Sequence, residues 1–418
     1  MANTPNVRFK GFVDEWEECK LSEVANLTSS RRVHADDYVE NGIPFYRGKE
    51  ISELREHKQV SEVLYITEEK YGELSKLYGS PVKGDLLITA VGTIGNTWVV
   101  DQLPFYFKDG NLIWFKDIKC SPKYLDYVLS TPNGQKKIMD SAIGSNQKAL
   151  TMVKLNELNF MFPESLEQEK IAIYFTNLDH LITLYQRKCN EVKQLKKFML
   201  QKMFPKSGEL IPEIRFAGFT DDWEQRKLST IIKEKLANGV INKPGTEISN
   251  VKHINVIDMY TSDKIHTEDL ASSLYDENTI QKCNVEVGDI FMTRSSLKPE
   301  GIAEANVLLD SGRYVFDDHL IRMKVDKSKY DPVFVKINLG NRMLKTQFIM
   351  RSKTTAFTTI GQEDISECEG MFPCFEEQKK IGQYFQRLDH LIILYQRKCD
   401  ELKEVKRFML QNMFPQKG

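Results

Sequence analysis

Short polar and basic side chains cluster near glycine turns at two places in the chain, where their chemistry suits contact with nucleic acid. In the first half of the 418-residue sequence these residues are Thr93, Asn96, Ser145, Asn146, Gln147 and Lys148. In the second half they are Thr293, Arg294, Ser295, Ser296, Lys298, Arg351, Lys353 and Thr354. Arginine and lysine bind guanine edges, asparagine and glutamine bind adenine edges, and serine and threonine suit base edges or phosphates. We therefore take both sets as candidate DNA-binding residues.

A simpler interpretation of the same residues remains open. Gly92 and Gly95 could serve only to turn a hairpin, with solvated polar side chains around them. The net charge of −1 does not by itself favour nucleic acid, but residues 321–353 contain nine lysines or arginines against two aspartates. Residues 116–154 are also net basic. Basic regions of this kind can neutralise phosphates locally within a neutral chain.

Matched strand and helix patterns surround the candidate residues in both halves. Residues 84–100 and 288–309 share the opening GD.(L/F).T and read as strand, glycine-containing turn and strand. Residues 107–116 and 316–324 predict a second matched strand, and residues 121–140 and 329–350 predict helices. The two regions, roughly 16–160 and 223–370, therefore predict two mixed α/β domains of similar plan and different sequence.

Two nearly identical long segments follow these regions. Residues 162–205 and 372–415 align without a gap, and both end in Met-Phe-Pro. Residues 6–24 and 213–231 form a second repeated pair, which precedes each α/β region. A duplicated frame around two diverged regions indicates two different binding domains held in one geometry.

Each long repeat predicts a helix of about 39 residues, or roughly 58 Å, with an apolar seam. The seam positions recur at steps of four and three residues from Ile171 to Val192, and again from Ile381 to Leu402. The same spacing would next place Lys196 in the seam, so we expect a local shift in phase. The residues expected to continue the seam are Leu195, Phe198, Met199 and Met203. One such helix cannot bury its own seam, which favours antiparallel packing of the two copies.

Composition excludes several classes of protein. The sequence is 41% hydrophobic and 28% charged, which is ordinary for a globular protein, and it contains no apolar run long enough for a membrane helix. The N-terminus lacks a signal-peptide core. Seven cysteines without a Cys-x-x-Cys pair, together with seven scattered histidines, predict a cytoplasmic protein without a metal site.

The order of diverged region, long helix, diverged region and long helix resembles the specificity subunit of type I restriction–modification systems. The phrases RF.GF...WE..KLS, GD.(L/F).T and EEQKKI or LEQEKI at the helix starts carry the resemblance, which covers almost the whole chain. It implies an α+β fold with target recognition domains at 1–160 and 207–371. Spacer helices at 161–206 and 372–418 would form an antiparallel coiled coil with a pseudo-two-fold internal repeat.

The resemblance also implies a function and partners. The chain would read a bipartite, asymmetric double-stranded DNA target with an unspecified spacer. It would position two adenine methyltransferase subunits and, optionally, two nuclease/translocase (restriction) subunits. The sequence contains neither a Gly-x-x-x-x-Gly-Lys-[Ser/Thr] loop nor an Asn/Asp-Pro-Pro-Tyr/Phe run. We therefore expect no catalytic residue, metal or cofactor in this chain, with S-adenosylmethionine, ATP and Mg²⁺ bound by the partner subunits.

Two other functions remain possible from sequence. The first is a coiled-coil adaptor that joins proteins without touching DNA, against which the basic regions argue. The second is an enzyme, such as a stand-alone nuclease or a fused restriction–modification protein, against which the missing motifs argue. A DNA-binding assay distinguishes the first from a specificity subunit, and cleavage by the isolated chain would identify the second.

Overall fold

The computed structural model describes residues 4–56, 58–144, 148–241 and 249–415. Contacts divide the chain into two compact units. Unit 1 comprises Met1–Gln186 with Arg397–Gly418, and unit 2 comprises Arg187–Gln396. Each long helix therefore contributes residues to both units, whereas the boundaries expected from the sequence separate the helices from the α/β domains.

Unit 1 contains ten strands and six shorter helices within its described residues. The strands are β1 (Glu17–Lys20), β2 (Asn26–Thr28), β3 (Tyr38–Val39), β4 (Ile43–Tyr46), β5 (Leu64–Ile66), β6 (Leu86–Thr89), β7 (Thr97–Val99), β8 (Tyr106–Phe107), β9 (Leu112–Lys116) and β10 (Asn159–Phe162). The helices are α1 (Leu21–Val24), α2 (Gly48–Arg55), α3 (Glu68–Tyr78), α4 (Pro122–Ser130), α5 (Pro132–Ser141) and α6 (Met152–Asn156).

The central sheet of unit 1 has the order β2-β9-β6-β7 and is antiparallel. All four residues of β6 are buried, as expected for a short apolar run covered on both faces. A second sheet has the order β3-β5-β4-β8, in which β4 and β8 are parallel. Helix α4 begins after Ser121, whose hydroxyl accepts a hydrogen bond from the Tyr124 amide, and this cap defines the start predicted for the segment.

Unit 2 repeats this plan with additional strands. Its strands are β11 (Glu224–Lys227), β12 (Ala237–Asn238), β13 (Val251–Ile254), β14 (Ala271–Ser273), β15 (Ile290–Thr293), β16 (Ser295–Ser296), β17 (Ala305–Val307), β18 (Tyr314–Phe316), β19 (Leu320–Met323), β20 (Lys353–Thr354), β21 (Thr358–Thr359) and β22 (Glu369–Phe372). Its shorter helices are α8 (Glu277–Cys283), α9 (Pro332–Leu339), α10 (Arg342–Arg351) and α11 (Gln362–Ser366).

The central sheet of unit 2 has the order β12-β19-β15-β17. Its register matches that of unit 1, since Thr293 of β15 pairs with Leu320 as Thr89 of β6 pairs with Leu112. The other sheets have the orders β14-β13-β18 and β16-β21-β20. Both units thus have the mixed α/β fold expected from the sequence.

The long helices are α7 (Ser165–Lys202) and α12 (Phe375–Asn412), each of 38 residues or about 57 Å. Within each unit their segments run antiparallel. In unit 2, Cys189 of α7 lies against Gln396 and Lys196 lies against Asp389, so the chain numbers rise in opposite directions. In unit 1, the Lys406 ammonium of α12 pairs with Asp179 of α7. The two predicted helices and their antiparallel packing are confirmed.

The expected phase shift in α7 is wrong. Leu195 is 43% exposed and Phe198 is 47% exposed, so neither continues the seam. Lys196 does, because its ammonium group bonds across the interface to the buried carboxylate of Asp389. The four-and-three spacing therefore continues without a break through Lys196 to Met199 and Met203, two of the four residues expected to continue the seam, and both pack in the core of unit 2. The duplication gives Lys406 the same role against Asp179.

The repeated Met-Phe-Pro phrase completes the aromatic cores. In unit 1, Phe414 packs at ring-centroid distances of 6.2 Å from Trp16, 5.7 Å from Tyr124 and 5.9 Å from Phe175. In unit 2, Phe204 packs in the same way at 5.7 Å from Trp223 and 5.8 Å from Phe334. Each core is thus closed by the residue that follows the long helix of the other repeat.

The repeated entry phrase RF.GF attaches to the start of a long helix. The Arg8 guanidinium donates two hydrogen bonds of 2.8 Å to Glu167, and Arg215 donates bonds of 2.8 and 2.7 Å to Glu377. Both carboxylates are fully buried. No helix within the described ranges is long and apolar enough to cross a membrane.

Candidate nucleic-acid interface

One edge of the central sheet collects the candidate loops of unit 1. Strand β6 ends at Thr89 where β9 begins at Leu112, so the segment after β6 and the segment before β9 emerge together. The loop between α5 and α6 joins them, because Ala149 forms β-bridges with Val91 and Ile143. The Leu150 amide also donates to the Ala90 carbonyl at 2.8 Å. These contacts place the exposed Lys148 beside the glycine turn at 91–96.

The glycine turn itself is held by helix α2. The Asn96 side-chain amide donates to the Ser52 hydroxyl at 2.9 Å, and that hydroxyl lies 3.2 Å from the Thr93 hydroxyl. Gly95 has a φ of 91°, and a Cβ there would lie 2.9 Å from the Gln135 side-chain oxygen. Thr93 is exposed and Asn96 is half-buried, so both stand at the surface of a braced turn.

Ser145, Asn146 and Gln147 lie outside the described residues. Of the six candidates in the first half, the structure therefore brings together Thr93, Asn96 and Lys148.

A small sheet unites four candidates of unit 2. Strand β21 pairs with β16 on one side and β20 on the other, with Ser295 opposite Thr359 and Lys353 opposite the same residue. Ser296 and Thr354 both lie opposite Thr358, and the Thr354 and Thr358 hydroxyls are 3.2 Å apart. Residues more than 55 positions apart in sequence thus share one surface.

Three basic candidates surround this small sheet. Arg294 lies between β15 and β16 and its carbonyl accepts a hydrogen bond of 3.1 Å from the Ile360 amide. Lys298 precedes the 3₁₀ turn Pro299–Gly301, and Arg351 ends α10. All three are exposed, as is Lys353. Among the residues that the structure describes, none of these four cations forms a salt bridge.

Thr293 occupies a different position from the other candidates. It is fully buried, and its hydroxyl donates to the Gly301 carbonyl at 2.9 Å and accepts from the Glu304 amide at 2.9 Å. Thr89 serves the glycine turn of unit 1 in the same way, since its hydroxyl accepts from the Asn96 amide at 3.0 Å and bonds the Thr93 carbonyl. Thr293 therefore supports the loop from below.

The aspartates of the two GD phrases are structural. The Asp85 carboxylate accepts hydrogen bonds from the Val82 amide at 2.9 Å and the Trp114 indole at 2.8 Å. Asp289 accepts from the Glu286 amide at 2.9 Å, and burial raises the pKa of its carboxyl to about 6. Both residues fix the turn that leads into the central strand of their unit.

Sequence reasoning missed residues that the structure places beside the loops. Ser52 was missed because only the fold brings α2 to the turn. Arg31 and Arg32 follow β2 at the same sheet edge, both are exposed, and the Arg31 guanidinium lies 4.7 Å from the centre of the Tyr78 ring. The two consecutive arginines were the available signal.

Two histidine–carboxylate clusters occur in the described part of unit 2, at His266, Glu268 and Asp269 and at Asp317, Asp318 and His319. Hydrogen bonds already engage the histidine ring of each cluster, since His319 lies 3.0 Å from Asp317 and 3.1 Å from Asp318. The His266 ring lies 2.9 Å from an Asp263 oxygen and 3.3 Å from Glu268. Burial opposes the charged ring, but these bonds raise the pKa of His266. Neither cluster gives grounds for assigning a metal.

Comparison with known proteins identifies the family. The sequence model of the type I restriction modification DNA specificity domain matches residues 13–194 and again 220–404. A putative type I restriction enzyme MjaX specificity subunit from Methanocaldococcus jannaschii is 21% identical over 413 residues, covering 94% of this chain and 91% of that protein.

Solved structures share the fold. The S subunit of a type I restriction–modification system from M. genitalium matches with a TM-score of 0.64 at 14% identity, over 99% of this chain and 100% of that one. A chain from a structural study of assembly and conformational transition of the type I R-M system matches with a TM-score of 0.50 at 14% identity, over 96% and 98%. The chain therefore belongs to the type I restriction–modification specificity subunits, the non-catalytic parts of these enzymes that recognise the DNA target within the complex.

Proposed function

We propose that each unit reads one half of a bipartite, asymmetric DNA target. The observation that carries this proposal is the convergence of equivalent loops with different side chains at the same sheet edge of both units. Unit 1 presents Thr93, Asn96 and Lys148, which include one cation. Unit 2 presents Arg294 and Lys353 beside serine and threonine hydroxyls. Different donors and acceptors on one scaffold favour different base sequences.

The proposed contact set follows the sequence prediction with one change. In unit 1 it comprises Thr93, Asn96, Ser145, Asn146, Gln147 and Lys148. In unit 2 it comprises Arg294, Ser295, Ser296, Lys298, Arg351, Lys353 and Thr354. Thr293 is left out because both hydrogen-bonding roles of its buried hydroxyl are already filled within the loop.

The two long helices support the proposal of an unspecified spacer between the half-sites. A helix of 38 residues is about 57 Å long, which corresponds to about 17 base pairs at 3.4 Å each and gives an upper bound on the separation. The base pairs between the half-sites would be spanned without being read.

Twin partners are proposed from the outer faces of the long helices. In unit 2, Leu195 and Phe198 are exposed, and in unit 1 their counterparts Val405 and Phe408 are exposed too. Equivalent exposed apolar patches on the two repeated helices could each bind one copy of the same partner protein. We propose two methyltransferase subunits and, optionally, two restriction subunits. Those partners would hold S-adenosylmethionine, ATP and Mg²⁺, and we assign this chain no cofactor.

The seven free cysteines support a reducing, cytoplasmic setting.

The test is to express the chain with its methyltransferase partner and map adenine methylation in the cellular DNA. We expect one asymmetric two-part motif with a fixed gap, absent when the chain is omitted. A gel shift with the purified complex should then show tight binding to duplexes that carry the motif. A complex that assembles but retains no DNA would support the coiled-coil adaptor, and cleavage by the chain alone would support an enzyme.

A further inference from the structure

An open groove of about 680 Å³ in unit 2 has an apolar entrance. Leu297 is 80% exposed and Phe357 is 52% exposed, and both line this groove. Their placement follows from the register of β16 and β21, which pairs Ser296 with Thr358. The next positions along these antiparallel segments, 297 and 357, therefore lie opposite each other. Two large exposed apolar side chains therefore lie on neighbouring segments at this groove, which is also lined by the exposed ring of Tyr260 and by polar and charged residues.

Charges around the groove suit a polyanion. Lys298 lines the groove and is exposed, and the exposed Arg294 and Lys353 lie on adjoining segments, next to Ser295 and opposite Thr359. Two acidic residues also line the groove, the exposed Glu300 and the half-buried Glu304. The acidic wall is partly neutralised, because the Lys345 ammonium bonds the Glu304 carboxylate at 2.7 Å. Exposed cations beside an apolar entrance suit a ligand that carries negative charges at its periphery and an apolar group that can enter the groove.

Duplex DNA has this combination of groups. Its phosphates form the outer negative charge, and in the major groove the 5-methyl group of thymine is the one apolar substituent on the base-pair edges. Phenylalanine and aliphatic side chains contact that methyl group, whereas the neighbouring acceptors N7, O4 and O6 suit hydroxyls such as those of Ser295 and Ser296. A protein ligand of the same charge pattern is the competing occupant.

We propose that Leu297 and Phe357 contact the 5-methyl group of a thymine in the half-site read by unit 2. This inference rests on the proposed function and goes further by naming a chemical group on the DNA. It makes unit 2 sensitive to a substituent that takes no part in base pairing. Thymine and uracil differ only in this methyl group, so the contact can be tested on the DNA without altering any hydrogen bond.

The experiment uses the full chain in complex with its methyltransferase partner and a synthetic duplex that carries the mapped target. Each thymine of the half-site read by unit 2 is replaced in turn by deoxyuridine, and binding is measured by fluorescence anisotropy. We expect one position at which the replacement weakens binding about fourfold, the value for removing one buried methyl group. Replacements in the other half-site, read by unit 1, serve as the control on the DNA.

Protein variants assign the effect to the two side chains. Leu297→Ala should weaken binding to the all-thymine duplex about fivefold and should no longer distinguish thymine from deoxyuridine at the sensitive position. Phe357→Leu keeps an apolar side chain and should retain part of the distinction. Leu210→Ala changes a 47% exposed leucine outside the groove and should preserve both the affinity and the distinction. Because Leu297 is 80% exposed, its replacement should leave the thermal midpoint unchanged.

The possible outcomes separate this inference from the proposed function. If the complex binds its target but no deoxyuridine position matters, or that half-site contains no thymine, the inference is overturned and the function stands. A Leu297→Ala variant that still distinguishes the two bases also overturns it, as does one whose only defect is weaker assembly with the partner. If the complex binds no specific DNA at all, the proposed function fails first.

Discussion

The buried Arg215–Glu377 pair permits a quantitative prediction about what holds α12 in unit 2. The Arg215 guanidinium donates two hydrogen bonds, of 2.8 and 2.7 Å, to a carboxylate that is fully buried. The hydrogen bond to Glu377 is the main cause that raises the pKa of Arg215, so the guanidinium stays charged. Arg215→Met would keep most of the side-chain volume and leave the buried Glu377 carboxylate without its charged partner.

The expected loss is large for a single substitution. Removing one partner of a buried ion pair costs about 3 to 5 kcal/mol, because the remaining charge is uncompensated. Glu377 lies in the first turn of α12, where the helix dipole offsets about 0.5 kcal/mol of this cost. We therefore expect unit 2 to lose about 3 kcal/mol at pH 7. The double change Arg215→Met and Glu377→Leu should lose much less, since an apolar pair replaces both charges.

Hydrogen exchange of the amides in the first turns of α12 measures this local stability. Unit 1 supplies a matched replicate, since Arg8→Met disturbs an equivalent pair with Glu167 at the start of α7. A loss below about 1 kcal/mol, or a double variant as unstable as the single one, would refute the reasoning.

Three further predictions concern DNA reading, spacing and pH. Arg294→Ala should weaken binding about 5- to 100-fold through one half-site only, and Lys148→Ala should do so through the other. Gel shifts with duplexes altered in one half-site measure these affinities. An equal loss of affinity for every DNA sequence would indicate phosphate contacts. Four residues inserted between Leu184 and Lys197 in α7 alone should change the spacer length or abolish binding. An unchanged gap in methylation mapping would contradict the proposal that helix length sets the separation of the half-sites. Because burial raises the pKa of Asp289 to about 6, its ionisation destabilises the folded state as the pH rises from about 4 to 7. Asp289→Asn should therefore raise the free energy of unfolding of unit 2 at pH 7 by about 2 kcal/mol. Urea unfolding at several pH values should show a weaker pH dependence for the variant, and an unchanged pH dependence would contradict the cost assigned to the buried Asp289 charge.

The long helices were the most predictable part of the fold. The repeats at 162–205 and 372–415 predicted helices of about 39 residues, and the structure has helices of 38 residues within them, Ser165–Lys202 and Phe375–Asn412. A sustained heptad spacing and a terminal proline are local signals, so they survive without knowledge of the partner. The role of Lys196 was not local, because it depends on a carboxylate 193 positions away.

The candidate interface was predictable in part for the same reason. Glycine turns and polar runs marked the loops, and the fold joined them through bridges such as Val91 with Ala149. Residue type alone failed for Thr293, which is polar and yet buried beneath its loop. Leu297 and Phe357 were not predicted as surface residues, because the exposure of an apolar side chain in a loop depends on the fold around it.

The closure of each core by the other repeat's helix sets the order in which the protein can be completed during synthesis. Unit 2 is one continuous stretch, Arg187–Gln396, so every part of it has been made before Phe414 is added. Unit 1 holds Trp16, which is made before all of unit 2, and also requires Phe414, which is made after it. Until that ring is made, Trp16 and Tyr124 can pack on each other but lack their shared contact with Phe414. The domain that is translated first is therefore the domain that matures last, and a chain that stops early exposes aromatic surface at its beginning.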